Sequence, residues 1–232
     1  MTESAQLSSG QPMATALPSD LLRERLTSGN GRLLVIAATT LVWLMDLLLA
    51  RHLESNQAIA VNLVGTVTSI ERTGTILFVI VTVGLVLSLY RGKRRQLFGW
   101  SFLYLAFSVL QVIANVIAMI VTSGHHQGVG LTSLWDVAAV YTQSVLVFMF
   151  IYIFLDVSIP GGAFLWPSRD GEVPPVPHIV DYLFISLNVN STYGPTSEAL
   201  ISRSAKMVMA LQVLLAILML TVLIARAVSS IS

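Results

Sequence analysis

Residues 207–228 read MVMALQVLLAILMLTVLIARAV, twenty-two positions with a single charged side chain, Arg226. At about 1.5 Å per residue a helix of that length crosses the roughly 30 Å hydrocarbon core of a bilayer. The pattern recurs. Leu33 to Ala50 (LLVIAATTLVWLMDLLLA) is one further apolar run, and others cover residues 74–90, 98–122 and 134–155. They are punctuated by the basic cluster RGKRR, the Gly-rich turn SGHHQGVG, and Asp156 followed by Pro160-Gly161-Gly162, each a helix-ending signal or an interfacial marker. Five such runs predict an all-α, polytopic transmembrane helical bundle over residues 31–228. The charge content agrees, since only 11% of residues are charged against roughly 25% in an average soluble domain.

Two stretches fall outside this pattern. Residues 1–30 are rich in Ser, Thr, Gln, Gly and Pro and read as a flexible N-terminal tail with no cleavable signal. Residues 51–73 hold only a ten-residue apolar segment, AIAVNLVGTV, too short to span, so the expectation there is a loop or a surface-lying piece.

Lysine and arginine placement orients the bundle. With the N-terminus in the cytoplasm, ten of the 13 basic residues lie on inner segments and three, Arg51, Arg72 and Arg226, on outer ones. That asymmetry predicts an inside N-terminus and, with five crossings, an outside C-terminus. A net charge of +1 offers nothing to nucleic acid. The chain has no cysteine, which excludes disulfides, thiolate nucleophiles and Cys-ligated metals. No metalloprotease, nucleophile-elbow, phosphate-loop or dinucleotide motif is present, so neither an enzyme nor a cofactor is expected. His125-His126 in the Gly-rich turn lack further ligands and read as solvated.

The densest chemistry follows the Pro-rich connector RDGEVPPVP. The sequence HIVDYLFISLNVNSTYGPTSE can start a helix at Pro177 and must end it by Gly194-Pro195. A short helix over about 177–190 is therefore predicted to be re-entrant or interfacial. Asp181, Ser186, Asn188, Asn190, Thr192 and Gly194 make it a polar pore or packing segment, because polar groups of this density are too costly to face lipid. Asp181 reads either as a cation site or as an anchor bonded to His178, three residues earlier. Asp46 is a candidate intramembrane acid, or a partner of Arg51 near the helix end. Gln111, Asn115, Gln143 and Gln212 lie within the predicted spans and read as interhelical hydrogen-bonding amides. Arg203 and Lys206 open the last helix against its macrodipole, and cytoplasmic retention is the simplest reason for them.

Helix 134–155, the Pro/Gly linker, the DYLFISLNVNSTYGPTSE segment and a last helix opening SAKMVMALQ and closing LIARAV resemble the outer helix, pore helix, filter and inner helix of cation-channel pores. The whole chain also resembles a bacterial family of small integral membrane proteins of unknown function whose final third is similar to an ion-channel pore module. The likeness is loose over most of the chain and specific from Asp181 to Val228. It implies a multi-pass protein of the bacterial cytoplasmic membrane, in contact with the lipid bilayer and able to form a homo-oligomer. Potassium filters use T-x-G-Y-G, whereas this chain has T-Y-G-P, so no potassium-type filter is encoded. The expected function is accordingly a pore-like or transporter-like protein, with a non-conducting membrane scaffold or accessory protein as the alternative.

Overall fold

The computed structural model describes residues 21–24, 28–55, 64–91, 94–122, 130–168, 175–194 and 198–229. A helical turn at 21–24 precedes α1 (Gly29–Ser55), α2 (Val64–Arg91), α3 (Arg94–Thr122), α4 (Gly130–Ser158), β1 (Phe164–Leu165), α5 (Ile179–Asn190), β2 (Ala199–Leu200) and α6 (Arg203–Ser229). The predicted all-α character therefore holds, apart from one two-stranded antiparallel ribbon that pairs Phe164 with Leu200 and Leu165 with Ala199.

Among the described residues, three helical stretches are long and apolar enough to cross a membrane: Gln96–Ile117, Val137–Ser158 and Arg203–Ala225. α1 and α2 contribute shorter apolar stretches, Val35–Met45 and Ile76–Ser88, and α5 is itself a short apolar helix. Twelve residues of α5 reach only about 18 Å, well short of a hydrocarbon core.

α4 is the hub. It packs against α1, α3, α5 and α6, and 61% of its apolar stretch is buried, against 22% for α3 and 28% for α6. Its sequence explains the position, because VAAVYTQSVLVFMFIYIFLDVS is apolar on every face and can therefore be enclosed all round. Tyr152 and Phe148, both fully buried, come from this helix.

Two expectations need correction. Residues 51–73 were expected to be a loop or a surface-lying piece; 51–55 continue α1 and 64–73 form the first turns of α2, which overturns the loop alternative there, while 56–63 lie outside the described residues. No proline interrupts either stretch, and backbone hydrogen bonding carries a helix past its apolar part; helix ends are set by breakers, not by hydropathy. The same reason starts α3 at Arg94, α4 at Gly130 and α6 at Arg203, four residues ahead of each apolar run. The second correction concerns only residues 21–24 of the tail, since 1–20 and 25–27 lie outside the described residues. Leu22 is buried, the Arg23 Nη2 donates to the Val157 carbonyl at 3.0 Å, and its guanidinium lies 5.6 Å from the centre of the Phe98 ring. A cation at the C-terminal end of α4 meets the negative pole of that helix, which gives this short piece of the tail a docking point.

Candidate functional site

The last third of the chain is built around a carboxylate. Asp156 sits in the final turn of α4 with about 1% of its surface exposed. Immediately after, Gly161 and Gly162 take φ values of +83° and +85°, left-handed backbone that favours glycine, and the chain folds back over the helix end. This brings the Ala163 and Phe164 amides to Oδ1 of Asp156 at 2.6 and 3.2 Å. A Cβ at Gly162 would lie 2.9 Å from the same oxygen, so the turn requires glycine for room as well as conformation.

The second oxygen serves α5. Oδ2 of Asp156 accepts from the Tyr182 hydroxyl at 2.6 Å and from the Trp166 indole at 3.4 Å. Phe164, Trp166 and Tyr182 close over the carboxylate, with edge-on ring contacts between Phe164 and Tyr182 and between Trp166 and Tyr182. Burial pushes the Tyr182 phenol well above its ordinary value, and the charge and hydrogen bond of Asp156 push the same way. The phenol is held as a donor. One carboxylate thus ties the end of α4, the ribbon and the start of α5 together through four donors, the arrangement that a buried charge needs.

α5 is capped from within. The Asp181 carboxylate accepts the His178 backbone N–H at 2.6 Å, half of a capping box, and Pro177 is buried beneath. The helix buries one face, Tyr182, Ile185, Ser186, Val189 and Asn190, against α4 and α6. Val180, Phe184 and Leu187 on the other side are exposed. The helix ends at Ser191, and the chain reverses through Thr192 at φ 66° and Gly194 at φ 73°.

The buried face is fastened by amides and hydroxyls. Gln212 of α6, fully buried, accepts from the Tyr152 hydroxyl at 2.6 Å. Its Nε2 lies 2.9 Å from the Ser186 carbonyl, 3.0 Å from the Ser186 hydroxyl and 3.1 Å from Oδ1 of Asn190. Ser186 in turn donates to the Val145 carbonyl of α4 at 2.7 Å. Asn190 accepts from Ser144 and donates to the Tyr141 carbonyl, both at 3.4 Å, and the Tyr141 and Ser191 hydroxyls are 3.1 Å apart. The network thus joins three helices at the level of the short helix.

Of the residues singled out from sequence, Ser186 and Asn190 converge on this network and are consumed by it. Asp181 is the polar anchor of α5, bonded to the His178 backbone and not to its ring. Asn188 is half-buried, and its Nδ2 has no hydrogen-bond partner. Thr192 is exposed at the turn, beside Gly194. Gln212 is the centre of the network, while Asn115 donates to Gln143 at 2.9 Å and so links α3 to α4. Asp46 lies in α1, but its side chain, like that of Arg226, is outside those described, and His125-His126 also fall outside the described residues. Asp156 was read only as a helix stop. An acid in the last turn of an apolar helix opposes the macrodipole, and this signal marks it as a residue with a partner.

No protein-family model matches the chain, and neither a curated protein nor a solved structure is significantly similar to it.

Proposed function

We propose that the chain is a five-crossing membrane protein whose last third is a pore-like module, with α4 as outer helix, α5 as re-entrant helix and α6 as inner helix, assembled as a homo-oligomer. α1 and α2, of 27 and 28 residues, are about 40 Å long and supply the two further crossings. The positive-inside count puts the N-terminus in the cytoplasm and the C-terminus outside. The observation that carries the reading is the seat of α5: a helix too short to span, hydrogen-bonded on one face to both α4 and α6, whose exit turns back through exposed Thr192. Irregular backbone at membrane depth is tolerated where it lines a water-filled cavity or is enclosed by protein.

Because Ser186 and Asn190 are spent on packing, the lining reduces to Asn188, Thr192 and the backbone at Gly194. With T-Y-G-P in place of paired filter glycines, discrimination rests on side-chain amides and hydroxyls, and a potassium-type carbonyl ladder is not part of the proposal. In liposomes, ion or small-solute flux is expected to change on Asn188→Ala or Thr192→Ala. Flux equal to that of empty liposomes across common ions overturns the proposal.

The consumption of Ser186 and Asn190 also favours a second reading, a non-conducting scaffold in which α5 only braces the bundle. Under that reading Ser186→Ala and Asn190→Ala lower thermal stability, and no substitution in the segment alters any flux.

A further inference from the structure

The outward face of α6 carries a surface that the pore-like reading does not use. Arg203, Lys206, Met207, Ala210, Leu214 and Ile217 are all exposed, and their spacing of three and four residues stacks them on one helical face. Two cations head the stripe, and everything beneath them is apolar. Met207 is 73% and Leu214 61% exposed, too much uncovered hydrocarbon on one line for a surface that meets water. From Met207 to Ile217 the stripe runs about 15 Å, half the thickness of a hydrocarbon core and so the depth of one leaflet.

The cations stand at the helix end where positive charge is disfavoured. Among the described residues neither Arg203 nor Lys206 has an ion-pair partner, so nothing described on the chain offsets their charge. An anion outside the chain would do so, and its chemistry is constrained by what lies below: a negative head attached to an acyl chain matches a cationic pair above an apolar stripe one leaflet deep. We infer that the Arg203–Lys206 pair and the stripe below it form a binding surface for an anionic phospholipid at the edge of the last third of the molecule. The surface is made by these side chains and not by the helix terminus, and it requires that any assembly of the module leave this face of α6 to lipid.

The test uses the full chain in mild detergent, with native mass spectrometry counting retained lipid. The wild type is expected to hold dioleoylphosphatidylglycerol about thirty-fold more tightly than dioleoylphosphatidylcholine, the combined effect of two basic residues near a membrane surface. The double variant Arg203→Gln, Lys206→Gln abolishes that preference. Arg203→Lys keeps most of it. Leu214→Asn weakens retention of both lipids. Both cations are exposed, so their replacement leaves the fold intact, which an unchanged melting temperature in lipid-free detergent verifies. Equal retention of the two lipids by the wild type overturns the inference, as does an undiminished preference in the double variant. Displacement of the phosphatidylglycerol by inorganic phosphate alone would reduce the surface to a simple anion site and also overturn it. The chain has no native cysteine, so Ala210→Cys reports on a second copy: efficient disulfide formation in phosphatidylglycerol vesicles would show that a protomer covers the stripe in place of lipid, and that result too overturns the inference.

Discussion

The contact between α2 and α3 and the contact among α4, α5 and α6 are made of different materials. In the first, Phe78 meets the rings of Tyr104 and Phe107 at centroid distances of 5.4 and 5.6 Å, and Gly84 lets the Trp100 ring lie against the α2 backbone. In the second, Asp156, Tyr182, Ser186, Asn190, Tyr152 and Gln212 are bonded to one another or to backbone. If both regions lie in lipid, as proposed, no hydrophobic force distinguishes neighbouring helix from solvent, and close packing and hydrogen bonds carry association. Ring packing is enough for two helices joined by a two-residue connection between Arg91 and Arg94, which are antiparallel neighbours by chain length alone. A twelve-residue helix suspended between two longer ones needs directional bonds at both ends.

That contrast breaks first at Asp156. Asp156→Ala leaves the Ala163 and Phe164 amides, the Trp166 indole and the Tyr182 hydroxyl without their acceptor, and the expected loss is about 3–5 kcal/mol. Hydrogen exchange read by mass spectrometry should show the ribbon and the first turn of α5 opening while α2 and α3 stay protected. Uniform loss of protection over all helices would mean that the two regions are one cooperative unit. Gln212→Leu comes next, at about 2 kcal/mol, since it orphans the Tyr152 hydroxyl and removes the donor shared by Ser186 and Asn190. Here the exchange should rise at the second half of α5 and not at the ribbon, which separates the amide network from the carboxylate latch.

The ring-packed side is probed by Gly84→Val. A Cβ at Gly84 would lie 2.6 Å from Cε3 and Cζ3 of Trp100, far inside contact distance, so the helices must part or the indole must turn. The expected cost is about 1–3 kcal/mol, seen as a lower melting temperature with hydrogen exchange of α5 unchanged. A change in α5 as large as that from Gln212→Leu would abolish the distinction between the two regions.

Sequence reasoning reached these regions unevenly. The long apolar runs made the helical class legible, and the charge deficit pointed to lipid, because both are properties of composition that packing does not alter. The short helix was legible from Pro177 and Gly194-Pro195, which limit a helix wherever it packs. What the polar residues within it do was not legible. Ser186, Asn188 and Asn190 fall at every second position of one helix, and the 100° turn per residue, together with the positions of α4 and α6, decides which of them is buried and bonded. Asn188 emerges on a different side from Ser186 and Asn190 for that reason. Asp156 was hidden for another: two of its four donors are backbone amides exposed by a Gly-Gly turn, and backbone groups have no sequence signature. The start of α2 at Val64 escaped because hydropathy measures what lipid accepts, whereas helix propagation needs only the absence of a breaker.

The smallest expected effect comes from a bond that crosses between the two kinds of packing. Tyr104 of α3, buried among rings, donates its hydroxyl to the Thr39 carbonyl of α1 at 3.3 Å. Thr39 already spends its own hydroxyl on the Val35 and Ile36 carbonyls of α1, so the Thr39 carbonyl is a helix acceptor shared with a neighbour. Tyr104→Phe keeps the ring against Phe78 and removes the hydroxyl, and the loss should be about 0.6 kcal/mol, the average for an interhelical hydrogen bond in a membrane protein. Paired with Gly84→Val in a double-mutant cycle, the two losses should add if ring packing and this bond act independently. A coupling above about 0.5 kcal/mol would show instead that Trp100 and Tyr104, four residues apart on one face of α3, move as a unit when α2 is displaced.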